Sequence, residues 1–521
     1  MPSKSVVGIV VGLFGLLGLS QFVIHEQLSD AIIASPTIDP HLTNVESPKK
    51  HQLRSKPLAT VANPDAYFNG LPLVYHDGSG EKLSSSVHCM GESHMNKRAW
   101  MYRSCQYRNL CFDMTSGEFV LFASPKQERL HATMVAIQQN SSELSYSSTD
   151  MLSNHTEVSI GGHTKWWDAT LKSRIKWRPK TITGTAPTGY YMLPSNTVWL
   201  PFHNLAGVNP GHLLWDNFFP LYNLLAFFGL EEKHPLVMRY ILNPPQSHDM
   251  CNRDSEVVCG KMMKKFAVIF GISPDTLTDN RNVRFEVSKT KDKRDQTENQ
   301  RLSNFVCAPY GAAGIGDLND HGVELKTHGF YPSDYQIQQM SGRSQALWDF
   351  RNYQIANVLG VDYLLNNGFQ NGSGGQLLYP ILFSVGSSTD AKRSVTFETQ
   401  IAATTEHFAD QDDVTIEAVT FAKMSIAEQM RKAKSAAIVV TTCGGGAISS
   451  MWQQRDSTLI LFFPVKGRHR HPDLLDWEWW DHAAYLKVHW LPLGTANEKP
   501  DVEALLNIMD HDIERLRFES Q

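Results

Sequence analysis

The sequence predicts an α/β protein with a doubly wound parallel sheet in its C-terminal part and a single membrane-crossing helix at its N-terminus. Three observations carry this. Strand-like and helix-like segments alternate between residues 377 and 464. A glycine triplet sits inside "SAAIVVTTCGGGAISSMW" (435–452), and nineteen uncharged residues run from Val6 to Ile24. Parallel strands need crossover helices between them, so regular alternation is their signature.

At about 1.5 Å per residue the apolar run reaches roughly 28 Å, close to a bilayer core of about 30 Å. Lys4 precedes it, while Glu26 and Asp30 follow. The positive-inside rule then leaves residues 1–5 in the cytosol and sends the body into the lumen, as a single-pass type II protein of the Golgi or endoplasmic reticulum membrane. The alternative is a cleaved signal peptide, with small residues near Ala31 and Ala34 as a weak cleavage site. Residues 25–65 carry Pro36, Pro40, Pro48, Pro57 and Pro64 without apolar periodicity, the composition of an extended stem. Sequons at Asn140, Asn154 and Asn371 fit a glycosylated lumenal body.

Seven cysteines fit an oxidising compartment, and their odd number leaves one outside any set of pairs. Cys251 and Cys259 flank a polar loop that a disulfide would close; the remaining connectivity stays open. A length of 521 residues suggests two or three domains. With 48 Lys and Arg against 53 Asp and Glu, nothing indicates a basic nucleic-acid surface.

In the body, "GEFVLFAS" (117–124), "NTVWLPF" (196–202), "KKFAVIFGIS" (264–273) and "SNFVCAPYG" (303–311) read as strands. "GHLLWDNFFPLYNLLAFFGL" (211–230) reads as a helix interrupted at Pro220, and "SQALWDFRNYQIANVLG" (344–360) as a helix ending at Gly360. The glycine and asparagine cluster at 366–376 is the expected domain boundary, between an N-terminal domain of residues 66–370 and a C-terminal one of 371–495 followed by a helix over 496–521. Beyond it come strand "LLYPILFSV", turn "GSSTDAKR", helix "SVTFETQIAATTEHF", strand "VTIEAVTF", helix "SIAEQMRKAKSA", strand "AIVVTT", the glycines, helix "AISSMWQQ" and strand "TLILFFP".

Ligands of doubly wound sheets bind beyond the carboxyl ends of the strands. Residues without a Cβ let the backbone approach a ligand there, and amides at a helix start favour an anion. One such strand end is Cys443, Gly444, Gly445 and Gly446. A second is Gly386, Ser387 and Ser388 with the cations Lys392 and Arg393. Together they predict a diphosphate site.

Taken in order, "WMYRSCQYRNLCFD" (100–113), "NPGHLLWDNFFPLY" (209–222), "VCAPYGAAGIGDLNDHG" (306–322), "EAVTFAKMSIAEQMRKAKSAAIVVTTCGGGAISSMW" (417–452) and "LILFFP" (459–464) resemble glycosyltransferase family 61. That family includes plant xylan-modifying and N-glycan xylosyltransferases and animal O-linked N-acetylglucosaminyltransferases. The resemblance spans roughly residues 95–492. It implies two facing Rossmann-like domains, the GT-B arrangement. The second would hold a nucleotide-sugar donor, UDP-linked; the first would hold a glycan or glycoprotein acceptor. It also implies inversion at the anomeric carbon. Many members carry His-Gly-Ala-Gly at the glycine turn, where this chain has Cys443-Gly-Gly-Gly.

Inverting transfer needs a base for the acceptor hydroxyl and positive potential at the leaving diphosphate. Helical spacing puts His212 and Asp216 on one face, His212 as the expected base and Asp216 as its orienting partner, the alternative being a helix-start cap. Asn209, Arg103 and Arg108 are expected on the acceptor side, although structural ion pairing is the commoner role of a single arginine. Asp410-Gln-Asp412 and Asp510-His-Asp512 have the spacing of a manganese motif but read as solvated carboxylates, so no obligatory metal or other cofactor is expected. Trp477, Trp479 and Trp480 read as core ahead of sugar platforms, and Gly311, Gly314 and Gly316 as a packing or acceptor-side loop. A second reading is a catalytically degenerate, membrane-anchored glycan-binding or scaffold protein.

Overall fold

The computed structural model describes residues 72–520 apart from internal stretches, the longest being 136–155, 161–175, 280–304, 315–340 and 464–479; short ones include 366–376, 387–394 and 443–444. Within it residues 60–521 form one compact unit. In chain order the strands are β1 (Val74–His76), β2 (Ser86–Gly91), β3 (Arg103–Asp113), β4 (Glu118–Phe122), β5 (His131–Val135), β6 (Val158–Ser159), β7 (Lys176–Trp177), β8 (Lys180–Ile182), β9 (Tyr190–Met192), β10 (Thr197–Phe202), β11 (His234–Arg239), β12 (Thr278–Asp279), β13 (Phe305–Ala313), β14 (Tyr379–Ser384), β15 (Val414–Val419), β16 (Ile438–Thr442), β17 (Thr458–Phe463) and β18 (Lys487–Pro492). The α-helices are α1 (Pro210–His212), α2 (Phe219–Phe227), α3 (Glu256–Phe266), α4 (Ser341–Leu359), α5 (Val361–Leu365), α6 (Glu398–His407), α7 (Ile426–Ser435) and α8 (Val502–Glu519).

The expectation of two facing Rossmann-like domains behind a membrane helix is corrected. The first sheet is mixed: β12-β11-β10-β13 run parallel, β3 enters antiparallel to β13, and β2 is antiparallel to β3. A purely doubly wound sheet has no such reversal. Among the described residues no helix is long and apolar enough to cross a membrane, and the expected span at 6–24 lies outside them, as do the stem and the three sequons. The protein is a mixed α/β fold.

Strand β3 joins the halves of the first sheet, and disulfides bind it on both sides. Cys105 pairs with its register partner Cys89 on β2, and Cys111 with its register partner Cys307 on β13. The first bond lies in the apolar cluster of Tyr107, Phe112, Phe119 and Trp199; the second lies in a separate cluster with Val120 and Phe122. The side-chain alternation slips at Asn109, whose φ is 51° although the register with β13 is the same on either side of it, and its Nδ2 donates to the Ser84 carbonyl at 2.8 Å. The expected Cys251–Cys259 bridge is present.

The second sheet is fully parallel in the order β15-β14-β16-β17-β18. Every residue of β14, β16 and β17 is buried, as strands covered on both faces must be. Leu382, Val439, Leu459 and Leu461 face α4, α7 and the helical segments of the first half, within one continuous core. Ile381, Ile438, Ile460 and Phe462 face α8, which presents Leu505, Met509, Ile513 and Leu516 at helical spacing.

Three local readings are corrected. "KKFAVIFGIS" is the end of α3 followed by a 3-10 turn, Ala267–Phe270, closed by Gly271. "AISSMWQQ" belongs to a 3-10 helix, Gly445–Trp452. The helix around Pro220 contains a π segment, Leu213–Phe218, in which the Phe219 N–H reaches back five residues to the Leu214 carbonyl. Pro220 has no N–H to give the Asp216 carbonyl and its ring crowds it, so the turn widens.

Asp512, expected to be solvated, is buried at 2% exposure. It accepts from Thr458 Oγ1 at 2.7 Å and Arg515 Nε at 3.2 Å, and lies 3.0 Å from His489 Nε2. Burial pushes its pKa up, but the bonds from His489, Thr458 and Arg515 outweigh that and hold it well below the carboxylate range. Its contribution to stability is therefore present above the unfolded value of about 3.9 and lost as pH falls toward the folded one. Asp512→Asn should destabilise by about 2–4 kcal/mol near neutrality. In thermal unfolding its gap from wild type should persist in mildly acid buffer and narrow only below about pH 4.

The disulfides give a second test. The loops they close differ, with 196 residues of separation for Cys111–Cys307 and 16 for Cys89–Cys105. Chain-entropy scaling makes the long one worth about 5 kcal/mol and the short one about 3 kcal/mol. Double alanine variants compared by denaturant unfolding should follow that order.

Candidate active site

The two turns singled out by their glycines leave neighbouring strands. β14 pairs with β16 in register Phe383↔Val440, so the strands end side by side at Ser384 and Thr442, spaced by about 4.8 Å. From β14 the chain crosses to β15 on one side; from β16 it crosses to β17 on the other. The point where connections diverge in this way is where doubly wound sheets open a crevice at their carboxyl edge.

Gly386 turns the chain out of β14 with φ of 60°, and a Cβ there would meet nothing within 4 Å. Backbone conformation, not space, selects glycine at this position. Ser387, Ser388, Lys392 and Arg393 lie outside the described residues. The described chain resumes at Val395, and two residues on the left-handed φ of 55° at Phe397 is held by burying its ring against Phe383 and Phe462. At the second turn Cys443 and Gly444 lie outside the described residues, while Gly445 and Gly446 open the 3-10 helix.

That 3-10 helix is anchored by side chains from several elements. From α4, the 2%-exposed Arg351 donates through Nε to the Gln453 carbonyl at 2.8 Å and through Nη2 to the Trp452 carbonyl at 3.1 Å. Trp452 Nε1 donates to Gln354 Oε1 at 3.0 Å, Ser449 Oγ to Gln429 Oε1 at 2.8 Å, and Tyr485 Oη to the Met451 carbonyl at 2.8 Å. A buried cation at a helix C-terminus satisfies its last carbonyls and leaves the N-terminal amides to face an anion. Burial pushes the Arg351 pKa down to about 10, and burial together with Arg351 pushes Lys434, at the end of α7, down to about 8.

Helix α1 packs against this 3-10 helix, which puts His212 on an element in contact with the segment that follows β16. His212 is half-buried, and its carbonyl accepts from Asn217 Nδ2 at 2.8 Å. Asp216 lies within the π segment. Asn209, expected on the acceptor side, caps α1 through Oδ1, which accepts from the Gly211 N–H at 2.8 Å. Arg103, expected on the acceptor side, is buried at 1% exposure and donates to the Glu157 carbonyl at 3.3 Å. Arg108 is exposed and sits 4.1 Å over the Tyr310 ring.

Trp480 is core, edge-on to Trp215 at 6.0 Å. Gly311 and Gly314 serve packing: Cβ atoms there would come within 2.3 Å of Leu110 Cδ2 and the Arg103 carbonyl respectively. Asp410 and Asp412 are exposed, and among the described residues no group of three or more His, Cys, Asp or Glu is arranged to hold a metal.

Ser384 was missed. It ends β14 at the crevice, is 1% exposed, and its Oγ has no hydrogen-bond partner among the described residues. Strand alternation puts it on the face of Leu382, beside Thr441 of β16 and on the side where the 3-10 helix packs. A buried hydroxyl left unpaired is a free-energy penalty unless something else engages it. Its only sequence signal was its place as the last strand residue before the turn.

Ser384→Ala should leave thermal stability unchanged or slightly raised, since it removes an unpaired polar atom. If Ser384 meets the ligand, nucleotide affinity should fall by about five- to tenfold, read by calorimetric titration with uridine diphosphate. Compared with known proteins, the chain matches no family model and no curated protein.

Proposed function

We propose that the protein is an inverting glycosyltransferase that moves a sugar from a UDP-linked donor to a glycan or glycoprotein acceptor. The observation that carries this is the adjacency of the turns after β14 and β16 at the point where the sheet's connections diverge. Main-chain amides at Gly445 and Gly446 and the cations Lys392 and Arg393 would hold the diphosphate without an obligatory metal. His212, on the helix packed against the 3-10 helix after β16, would take the acceptor hydroxyl proton, with Asp216 orienting it. The acceptor oxygen then attacks the anomeric carbon from the face opposite the leaving group. As the carbon–oxygen bond to the diphosphate breaks, the nucleotide departs with the electron pair. Three disulfides support an oxidising compartment for this activity.

The full chain incubated with a panel of nucleotide sugars should release nucleoside diphosphate from one of them and gain thermal stability with it. Chelation by EDTA should leave that release intact. His212→Ala should lower turnover by about 10²–10⁴-fold while uridine diphosphate binding is retained. Absence of both binding and release across the panel overturns the proposal; binding without release identifies a degenerate glycan-binding protein.

A further inference from the structure

A cavity of about 620 Å³ lies where three helical segments meet: the end of α3 with its 3-10 turn, the end of α4, and the start of α7. That volume suits a small ligand. Val268, Ile272, Val358, Ile426 and Ala427 line it, with Lys265 among the lining residues. The wall formed by α7 begins just beyond the carboxyl end of β15, an edge neighbour of β14.

The surroundings are apolar and cationic together. On α3, Val257, Val258, Lys261, Lys264 and Lys265 are all exposed. At 100° per residue they fall within one arc of about 120°. Lys423, also exposed, lies two residues before the α7 cap. Val361 and Leu365, on the helix that follows α4, are 59% and 74% exposed, beside 66% for Val257 and 49% for Val258. Four of the strongly exposed large hydrophobics among the described residues thus sit on α3, whose end lines the cavity, and on the short helix that follows α4 in sequence. Two exposed carboxylates, Glu428, which accepts from Ser425 N and Oγ at 2.7 Å each and keeps its charge, and Asp362, stand against the four exposed lysines Lys261, Lys264, Lys265 and Lys423.

We propose that this cavity binds a single-chain anionic amphiphile, with the aliphatic tail against Val268, Ile272, Val358 and Ile426 and the anionic head on Lys265, flanked by Lys261 and Lys264. A neutral apolar ligand would leave the lysine rim unused, and a small hydrophilic anion would leave the apolar lining exposed to water. Charge complementarity at the rim and apolar burial within select a ligand carrying both. The assignment concerns binding alone and stands or falls independently of sugar transfer.

The test is calorimetric titration of the full chain with decyl phosphate below its micelle concentration, against decanol and inorganic phosphate. Decyl phosphate should saturate at one per chain and bind at least about tenfold more tightly than either comparator. Ala427→Phe, which fills the cavity from its half-buried rim, should weaken it by about tenfold or more. Lys265→Gln, at an exposed position that does not threaten folding, should weaken decyl phosphate several-fold and leave decanol unchanged. Non-saturable binding, equal affinity for decanol, or a Lys265→Gln variant indistinguishable from wild type overturns the proposal.

Discussion

The buried guanidinium of Arg351 is the join on which the architecture depends. Helix α4 packs Phe350 against Phe219 and Tyr222 of the first half, while the neighbouring Arg351 reaches the carbonyls of residues 452 and 453 in the second. One helix thereby fixes the distance between the π-containing segment after β10 and the 3-10 helix after β16. A charge taken out of water is tolerated only when its donors are used, and Arg351 has partners through Nε, Nη1 and Nη2. Among the described residues one apolar cluster on this side contains both Leu200 and Leu461.

This arrangement explains why the carboxyl edge of the second sheet is the chemically interesting end. Cations are committed at the opposite ends of its helices: Arg351 at the C-terminus of the 3-10 helix and Lys434 in the last turn of α7. The amide-rich ends converge where β14 and β16 finish. Charge and hydrogen-bond demand are thus sorted along the strand direction before any ligand arrives.

The parallel sheet was legible in the sequence because its strands are short β-branched runs separated by polar-faced helices, as in "AIVVTT" after "SIAEQMRKAKSA". The antiparallel entry of β3 was not, since "RSCQYRNLCFD" alternates like any strand and nothing local states its direction. "KKFAVIFGIS" misled because a continuous apolar run has no period; its left-handed Gly271 closes a helical turn. β18 was hidden in an aromatic and acidic block. At the site, glycines and charges advertised the turns. Ser384 and Arg351 were silent, because what distinguishes them is the absence or presence of partners about a hundred residues away or set by burial.

The double stapling of β3 also bears on how the chain is made. Cys89 and Cys105 emerge from the ribosome together, whereas Cys111 must wait for Cys307, 196 residues later. At ordinary elongation speeds of about 5–20 residues per second that is an interval of about 10–40 s. Throughout it a free thiol sits six residues from one cysteine of a finished pair, while Cys251 and Cys259 appear before its mate does. Any bond formed wrongly in that interval has to be exchanged before the final pairing is reached, so the yield of correctly bridged chains depends on the rate of thiol–disulfide exchange as well as on final stability.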